Sequence, residues 1–185
     1  MNNLHGSLVA ITLGFVMSCT PAMAAAPAST PAPLALKTEY AFTARVQVDA
    51  PVIIGQGAEG LRRYVPITGG EVKGPMLSGR ILNASGDWQV VRPDDVLALE
   101  AKYVLETADG VKISVVNRGL RHGPAAVIAR MGRGEPVPPS EYYFRTAALF
   151  DAPRGSKYEW LNQTLFVATA EREANLVIVH FYRVL

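Results

Sequence analysis

The sequence predicts an all-β protein, a single antiparallel β-barrel or a β-sandwich, of about eight to ten strands with one short helix near residues 124–131. Three observations predict this class. Short β-leaning runs follow one another at hairpin spacing, and the longer runs alternate apolar with polar residues. The 16 glycines and 13 prolines are scattered as turns and bends would require. Only residues 124–131 are alanine-rich with a proline at the start, as a short helix would be.

Composition limits the possible functions. The 185 residues are 49% hydrophobic and 18% charged, which is typical of one globular domain with a substantial core. A formal net charge of +2 is too small to favour nucleic acid or an anionic membrane as the main partner. We therefore expect a small-molecule ligand rather than nucleic acid, while the oligomeric state stays open.

Residues 1–24 have the features of a signal peptide. The apolar run within residues 4–18 is too short for a membrane span, and Ala22-Met23-Ala24 forms an A-x-A cleavage pattern. We expect cleavage near Ala24 and a periplasmic or secreted protein. The alternative is a lipoprotein anchored at Cys19, because residues 16–19 resemble a lipobox. Cys19 is the only cysteine, so cleavage would leave no disulfide, thiolate nucleophile or cysteine metal ligand.

Two further segments follow the leader. Residues 25–36 alternate alanine with proline and predict an extended, solvated linker. The β-barrel domain then occupies residues 37–185. In its first strand, residues 39–49, one face is formed by Tyr40, Phe42, Ala44, Val46 and Val48.

The remaining predicted strands end at glycine, proline or Asx-rich turns. Asp109-Gly110 is the strongest hairpin signal among them. A polar turn over residues 170–175 precedes the last strand. The predicted strands after the first are residues 62–67, 72–82, 88–91, 96–107 and 111–117, two runs within 141–168, and 176–184.

Residues 55–60 spell the G-x-G-x-x-G pattern of dinucleotide-binding loops. That motif needs a helix to begin within it, and Pro66 and Gly69-Gly70 prevent one downstream. We therefore interpret these residues as a flexible loop before a short strand.

Residues 141–168 are the most distinctive part of the chain. Tyr143 and Arg145 share one face of a predicted strand, and Trp160 and Asn162 share a face of the next. If both faces point into the barrel, they form a pocket for a planar, oxygen-bearing molecule. Arginine would bind a carboxylate or enolate, the aromatic rings would stack, and asparagine would orient a carbonyl.

Alternatives remain for these residues. Arg145 could pair with Asp87 or Glu100 as an internal staple, or it could lie on the surface. Trp88 and Trp160 are candidate stacking residues, but core packing is the plainer interpretation of both.

Asp87 and Tyr103 are the other candidates. A carboxylate inside an apolar barrel would have a raised pKa and could act as a general base, although Asp87 could instead be a turn residue bonding local amides. Tyr103 has the opposite parity to Glu100 and is the better pocket candidate of the two. Only His122 and His180 follow the leader, without a ligand-like spacing, so we expect no metal and no cofactor.

Several motifs, in order over about residues 40–184, resemble one family. They are Val65-Pro66-Ile67-Thr68-Gly69-Gly70, Gly86-Asp87-Trp88-Gln89, Tyr142-Tyr143-Phe144-Arg145-Thr146 and Trp160-Leu161-Asn162. The set resembles the domain of unknown function 3237 family, also called uncharacterised protein family 0311. The resemblance implies a small antiparallel β-barrel, without a settled activity.

Three functions are compatible with these residues. The first is a binding protein for a small aromatic or carboxylated molecule, with Arg145 at its centre. The alternative is a cofactor-free lyase, isomerase or hydratase, in which Asp87 or Tyr143 moves a proton while Arg145 stabilises an enolate-like charge. The third is a structural envelope protein, for which the linker is the only support.

Overall fold

Ten β-strands contain most of the residues that the computed structural model describes, which are residues 33–83 and 85–185. The predicted signal peptide, the predicted lipidation site at Cys19 and most of the linker lie outside this range. One α-helix, α1, spans Ala125–Gly132, and short 3₁₀ helices span Pro139–Glu141 and Glu159–Gln163. The strands are β1 Thr38–Val48, β2 Val52–Gly57, β3 Gly60–Lys73, β4 Gly79–Ile81, β5 Ser85–Val91, β6 Leu97–Thr107, β7 Lys112–His122, β8 Tyr143–Asp151, β9 Phe166–Arg172 and β10 Leu176–Val184.

Antiparallel pairing closes these strands into a barrel. The order runs β1-β10-β9-β8-β7-β6, and β4 and β5 then share the position between β6 and β3. β3 pairs back to β1 and closes the ring, while β2 pairs with the other half of β3. The result is an eight-stranded barrel with two extra short strands, which confirms the predicted fold class and the short helix.

Period-two alternation decides which side chains fill the barrel. In β8, Phe144, Thr146, Ala148 and Phe150 are buried and the residues between them are exposed. In β1 the predicted inward face is correct from Phe42 onward. The register shifts between Tyr40 and Phe42, and this irregularity leaves Tyr40 exposed.

β3 is longer than its predicted pieces because the strand continues through Pro66 and the paired glycines. Its first half pairs with β2 and β5, and its second half pairs with β1 and β4. Gly70 has a φ of 145°, and a Cβ there would lie 2.2 Å from the carbonyl oxygen of Arg45. Glycine is therefore required at this position.

The predicted loop at residues 55–60 is wrong. Gly57 pairs with Gly60 across a tight turn, so these residues form the hairpin between β2 and β3. The glycines provide positive φ values beside the turn, including 138° at Gly60. The G-x-G-x-x-G letters thus reflect hairpin geometry.

An aromatic cluster fills one end of the barrel. Phe42 is fully buried, and its ring centroid lies 5.0 Å from that of Phe181, 5.7 Å from Phe150 and 6.1 Å from Phe166. Trp160, from the 3₁₀ helix Glu159–Gln163, packs against Phe166 from outside this cluster at 6.0 Å. This end is therefore solid, and the opposite end, next to α1, is where open volume remains.

Candidate functional site

The barrel contains a cavity of about 580 Å³ at the end that α1 partly covers. Its rim consists of exposed segments at residues 49–51, 133–134 and 174–175, together with Ile128 and Met131 of α1. Most of its wall is aliphatic, and the volume is typical of small-molecule sites. Inside the rim, the polar side chains that line it are Arg63, Asp87, Gln89, Tyr103, Asn117, Arg121, Thr146 and Arg172.

Three of these side chains form a hydrogen-bonded chain across β3 and β5. Arg63 Nε donates to Gln89 Oε1 at 2.7 Å, and Gln89 Nε2 donates to Asp87 Oδ2 at 2.5 Å. Because Arg63 and Gln89 are directly paired in the register, the chain runs along adjacent strands. The carboxylate of Asp87 is thus held by a neutral amide.

This environment changes the acidity of Asp87. Burial raises its pKa from 3.8 to about 6, although the Gln89 hydrogen bond and the charges of Arg121 and Arg63 act in the opposite direction. Burial, and secondarily the charge of Asp87, also raises the pKa of Tyr103. Asp87 therefore changes its charge close to neutral pH, inside the cavity.

Three guanidinium groups, of Arg63, Arg121 and Arg172, surround the same space. Burial lowers the pKa of each. Repulsion from neighbouring guanidiniums lowers the pKa of Arg172 further, and that of Arg121 falls to about 10. None of the three forms an ion pair with any residue in the described ranges. Arg121 instead lies over the Phe144 ring, with its Cζ atom 5.7 Å from the centroid.

Outer-face arginines differ in this respect. Arg118 pairs with Glu100, and Arg183 pairs with Glu39. These two outer-face cations thus have carboxylate partners, whereas the three that face the cavity have only neutral hydrogen-bond or ring partners. Unpaired buried charge is costly, so this distribution marks the cavity as unusual.

Four buried side-chain atoms lack any hydrogen-bond partner in the described residues, and all four line this cavity. They are Asp87 Oδ1, Asn117 Oδ1, Arg121 Nε and Thr146 Oγ1. Native interiors normally satisfy such atoms, so a cluster of four in one space is a functional signal.

Gly119 preserves space beside these atoms. A Cβ at this position would lie 2.4 Å from the carbonyl oxygen of Arg145 and 2.5 Å from Thr146 Cγ2. Gly119 is the register partner of Thr146 and lies between Asn117 and Arg121 on the inward face of β7. Glycine here lets three polar side chains share one small region of wall.

Similarity to known proteins places this barrel in a family. A family model described as "Protein of unknown function (DUF3237)" matches residues 36–184. The chain belongs to the DUF3237 family. This assignment confirms the resemblance inferred from the sequence motifs.

Relatives of this DUF3237 chain share its fold. A UPF0311 protein of Rhodopseudomonas palustris is 42% identical over 150 residues, which cover 81% of this chain and 97% of that protein. A crystal structure of a conserved R. palustris protein of unknown function matches with a TM-score of 0.79 and 41% identity, covering 83% of this chain and 100% of the other. A β-barrel-like protein of Acinetobacter baumannii matches with a TM-score of 0.72 and 36% identity, covering 83% and 99% respectively.

Two of the predicted site residues face the cavity. Asp87 and Tyr103 both line it, on β5 and β6, and Glu100 points outward to Arg118 as its parity predicted. The interpretation of Asp87 as a turn residue is wrong, because it pairs with Ala101 inside a ladder. A ligand-binding role for Asp87 and Tyr103 stays a prediction.

The predicted inward orientation of Arg145 and Tyr143 is wrong. They do share one face of β8, but that face is exposed because Phe144 and Thr146 take the inward positions. Arg145 stacks over the Tyr143 ring at 5.3 Å and donates to the carbonyl oxygen of Phe144 at 2.8 Å. The predicted combination of Arg145 with Asp87 is therefore not assembled, because Asp87 faces inward. Arg145 and Tyr143 do meet, but on the exposed face of β8 and not in the cavity.

The predicted strand containing Trp160 and Asn162 is also wrong, since residues 159–163 form a 3₁₀ helix. Asn162 is exposed and bonds the end of β8: its Oδ1 accepts from the Ala152 backbone N–H at 2.7 Å, and its Nδ2 donates to the Ala152 carbonyl oxygen at 2.9 Å. Asn162 thus replaces a missing strand partner, and Trp160 packs on the core.

Trp88 lies on the outer face and is 55% exposed. Its ring stacks against Tyr64 with centroids 4.8 Å apart, on the opposite side of β5 from the cavity. Trp88 therefore neither lines the barrel cavity nor packs in the core, contrary to both predictions.

Six polar residues that line the interior of the cavity were not predicted as site residues from the sequence. Asn117 and Arg121 continue the inward face of Ile113 and Val115, so their parity was the available signal. A charged residue in phase with an apolar face is normally assigned to a strand end or to solvent. The six are Arg63, Gln89, Asn117, Arg121, Thr146 and Arg172.

Two other classes of site are absent from residues 33–83 and 85–185. No helix there has the length and apolar character needed to cross a membrane. The same residues hold no group of three or more histidine, cysteine, aspartate or glutamate side chains positioned for a metal ion.

Proposed function

We propose that the barrel binds a small organic acid, an aromatic or otherwise planar carboxylate, in the cavity next to α1. One observation carries the proposal: four partnerless buried polar atoms all line this single space. Leaving a buried polar group unpaired costs about 1–3 kcal/mol, so an empty site of this kind lowers stability. A bound polar molecule would supply the missing partners.

Charge favours an anion as the ligand. The interior holds the three guanidiniums of Arg63, Arg121 and Arg172 against the one carboxylate of Asp87, a formal balance of three positive charges to one negative. Asp49, Asp95 and Arg133 also line the space, but they are exposed at the rim, where solvent and salt screen them. A carboxylate would pair with a guanidinium through charge-assisted hydrogen bonds.

The aliphatic and aromatic lining of the cavity favours a ligand whose anionic group is attached to a flat apolar ring. Aliphatic side chains from many strands, among them Val46, Val65, Ile67 and Leu99, form most of the lining. The Phe144 ring beside Arg121 offers a surface on which an aromatic ring could stack. A purely structural barrel would instead be filled by side chains at both ends, as it is around Phe42.

Replacing Arg121 with methionine should weaken binding of such an acid. The probes are benzoate and its ortho-, meta- and para-hydroxy derivatives, titrated into the full chain by calorimetry. Methionine keeps the packing of the aliphatic stem and removes the cation, so affinity should fall roughly tenfold to a hundredfold, the range expected for hydrogen bonds to a charged group.

Arg145→Met is the matched control, because it makes the same chemical change on the outer face of β8. It should leave the affinity unchanged within about twofold, since the guanidinium of Arg145 does not reach the cavity. Two results would contradict the proposal: equal loss in both variants, or no binding of any probe to the wild-type protein at millimolar concentration.

A further inference from the structure

We infer that the cavity selects acids that also carry a hydroxyl group, with Asp87 Oδ1 accepting the hydrogen bond that this hydroxyl donates. The inference rests on the proposed function and adds the ligand class to it. A site that bound only a carboxylate would need donors, whereas this cavity also presents acceptors.

The four unpartnered atoms include both hydrogen-bond donors and hydrogen-bond acceptors. Arg121 Nε is a donor, and Thr146 Oγ1 can take either role. Asp87 Oδ1 and Asn117 Oδ1 are acceptors, and the ionised carboxylate of Asp87 can do nothing but accept. A complementary ligand therefore has an anionic oxygen for Arg121 and a separate O–H donor for Asp87.

Strand register fixes where these groups lie. Asp87 and Asn117 are both register partners of Ala101, from the two strands that flank it, so the two acceptors lie in one row with a methyl group between them. Ala101 also lines the cavity, and its small side chain leaves room beside Asp87 for the hydroxyl group of a ligand. No larger residue in this row separates them.

Arg121 lies in a different row of the barrel. It is four residues beyond Asn117 on β7, next to Phe144 and towards the end that α1 covers. The donor is thus nearer the rim and the acceptors are deeper. A ligand lying along the barrel axis would place its carboxylate near Arg121 and its hydroxyl near Asp87.

Oδ1 of Asp87 stays available as an acceptor because Gln89 donates only to the other carboxylate oxygen, Oδ2. The Gln89 side chain is itself fixed, because its amide oxygen accepts a hydrogen bond from Arg63. The network therefore orients the carboxylate and leaves Oδ1 available. The groups that act on this carboxylate from the packed elements are Arg63 on β3, Gln89 on β5, Tyr103 and the Glu100 backbone on β6, Arg121 on β7 and Arg172 on β9.

An acid without a hydroxyl would leave Asp87 Oδ1 unpaired and would bring a second negative charge towards Asp87. Sites built to hydrogen-bond a hydroxyl discriminate strongly against analogues that lack it. We expect the hydroxyl to raise affinity at least about tenfold at a pH where Asp87 is ionised.

The test compares each hydroxybenzoate isomer with the fluorobenzoate of the same substitution pattern, using the full chain at about pH 8, above the pKa of Asp87. Fluorine has nearly the size of a hydroxyl group but donates no hydrogen bond. In the wild-type protein, the best hydroxy isomer should bind at least about tenfold more tightly than its fluoro partner. This comparison needs no variant, so it does not depend on how a substitution affects folding.

The variant Asp87→Leu then tests whether Asp87 causes the preference for hydroxy over fluoro acids. The variant has an apolar side chain of similar size, and the hydroxy-to-fluoro preference should fall to about twofold or less while plain benzoate still binds. Equal affinity of the hydroxy and fluoro acids in the wild type would overturn the inference and leave the proposed function standing. A preference that Asp87→Leu keeps would also overturn it. Failure of every acid to bind would contradict the proposed function itself.

Discussion

Replacing Asp87 with asparagine should stabilise the protein by about 3 kcal/mol at about pH 8 and by almost nothing near pH 4. Burial raises the pKa of Asp87 from 3.8 to about 6, so the folded state resists losing this proton. Asparagine has the same shape, carries no charge and still accepts the hydrogen bond from Gln89. Urea denaturation of wild type and variant at both pH values measures the difference.

The sign follows from where each state titrates. Below about pH 4 the carboxyl is neutral in both states, and its burial carries no charge penalty. Between about pH 4 and pH 6 the unfolded chain is ionised while the folded protein holds its proton, so stability falls as pH rises through this window. Above about pH 6 the full penalty remains, and removing the charge relieves it.

Asp109→Asn provides a control of opposite sign. Asp109 is exposed at a turn, and hydrogen bonds from Thr107 and Tyr158 hold the pKa of its carboxyl well below its ordinary value. That variant should be less stable than wild type at about pH 8, with the difference lost only as the pH falls below the ordinary range of aspartate. If Asp87→Asn is no more stable than wild type at about pH 8, the charge penalty in the cavity is absent.

Phe42→Ala should destabilise the protein by about 3–5 kcal/mol, the largest single effect that we expect. Phe42 has no exposed surface, and its ring packs among Phe150, Phe166 and Phe181. Neighbouring strands are tied into a closed ladder and cannot collapse into the space, so the removed ring leaves a void. Denaturant titration gives the free energy of unfolding.

Phe144→Ala is the comparison, because Phe144 is also buried but lines the cavity. Its ring already has open volume on one side, so its removal should cost clearly less than removal of Phe42. The effects on binding should be reversed: benzoate affinity falls in Phe144→Ala and is unchanged in Phe42→Ala. Equal destabilisation of the two variants would contradict a barrel that is solid at one end and hollow at the other.

Much of the fold followed from residue patterns. Alternation in β1, β6 and β7, the Asp109-Gly110 turn and the helix after Pro124 all lie where the pattern predicted them. Successive side chains of a strand point to opposite faces because the backbone is pleated. This alternation is local, so it can be read from the sequence without knowing the tertiary packing. The family resemblance added the closed barrel.

The site was harder to predict, because alternation assigns residues to faces without saying which face is inside. In β8 both faces are largely apolar, with Tyr143 and Leu149 on one and Phe144 and Phe150 on the other. Pairing with β7 and β9 decides the orientation, and those contacts are far apart in sequence. Alternation therefore predicts Arg145 as the pocket arginine, although Arg121 is among the guanidiniums that line the cavity and Arg145 is not.

Residues 159–163 show a second limit. A run of five residues is too short for its period to distinguish a strand from a 3₁₀ turn. Asn162 is predicted to orient a ligand carbonyl because it shares a strand face with Trp160, but its partner is the backbone of Ala152.

A crystal structure of the protein grown with the tightest-binding hydroxybenzoate tests the central claim most directly. The account predicts the acid inside the barrel, with its carboxylate on Arg121 and its hydroxyl within hydrogen-bond distance of Asp87. An acid bound only on the outer face of β8, beside Arg145 and Tyr143, would contradict it.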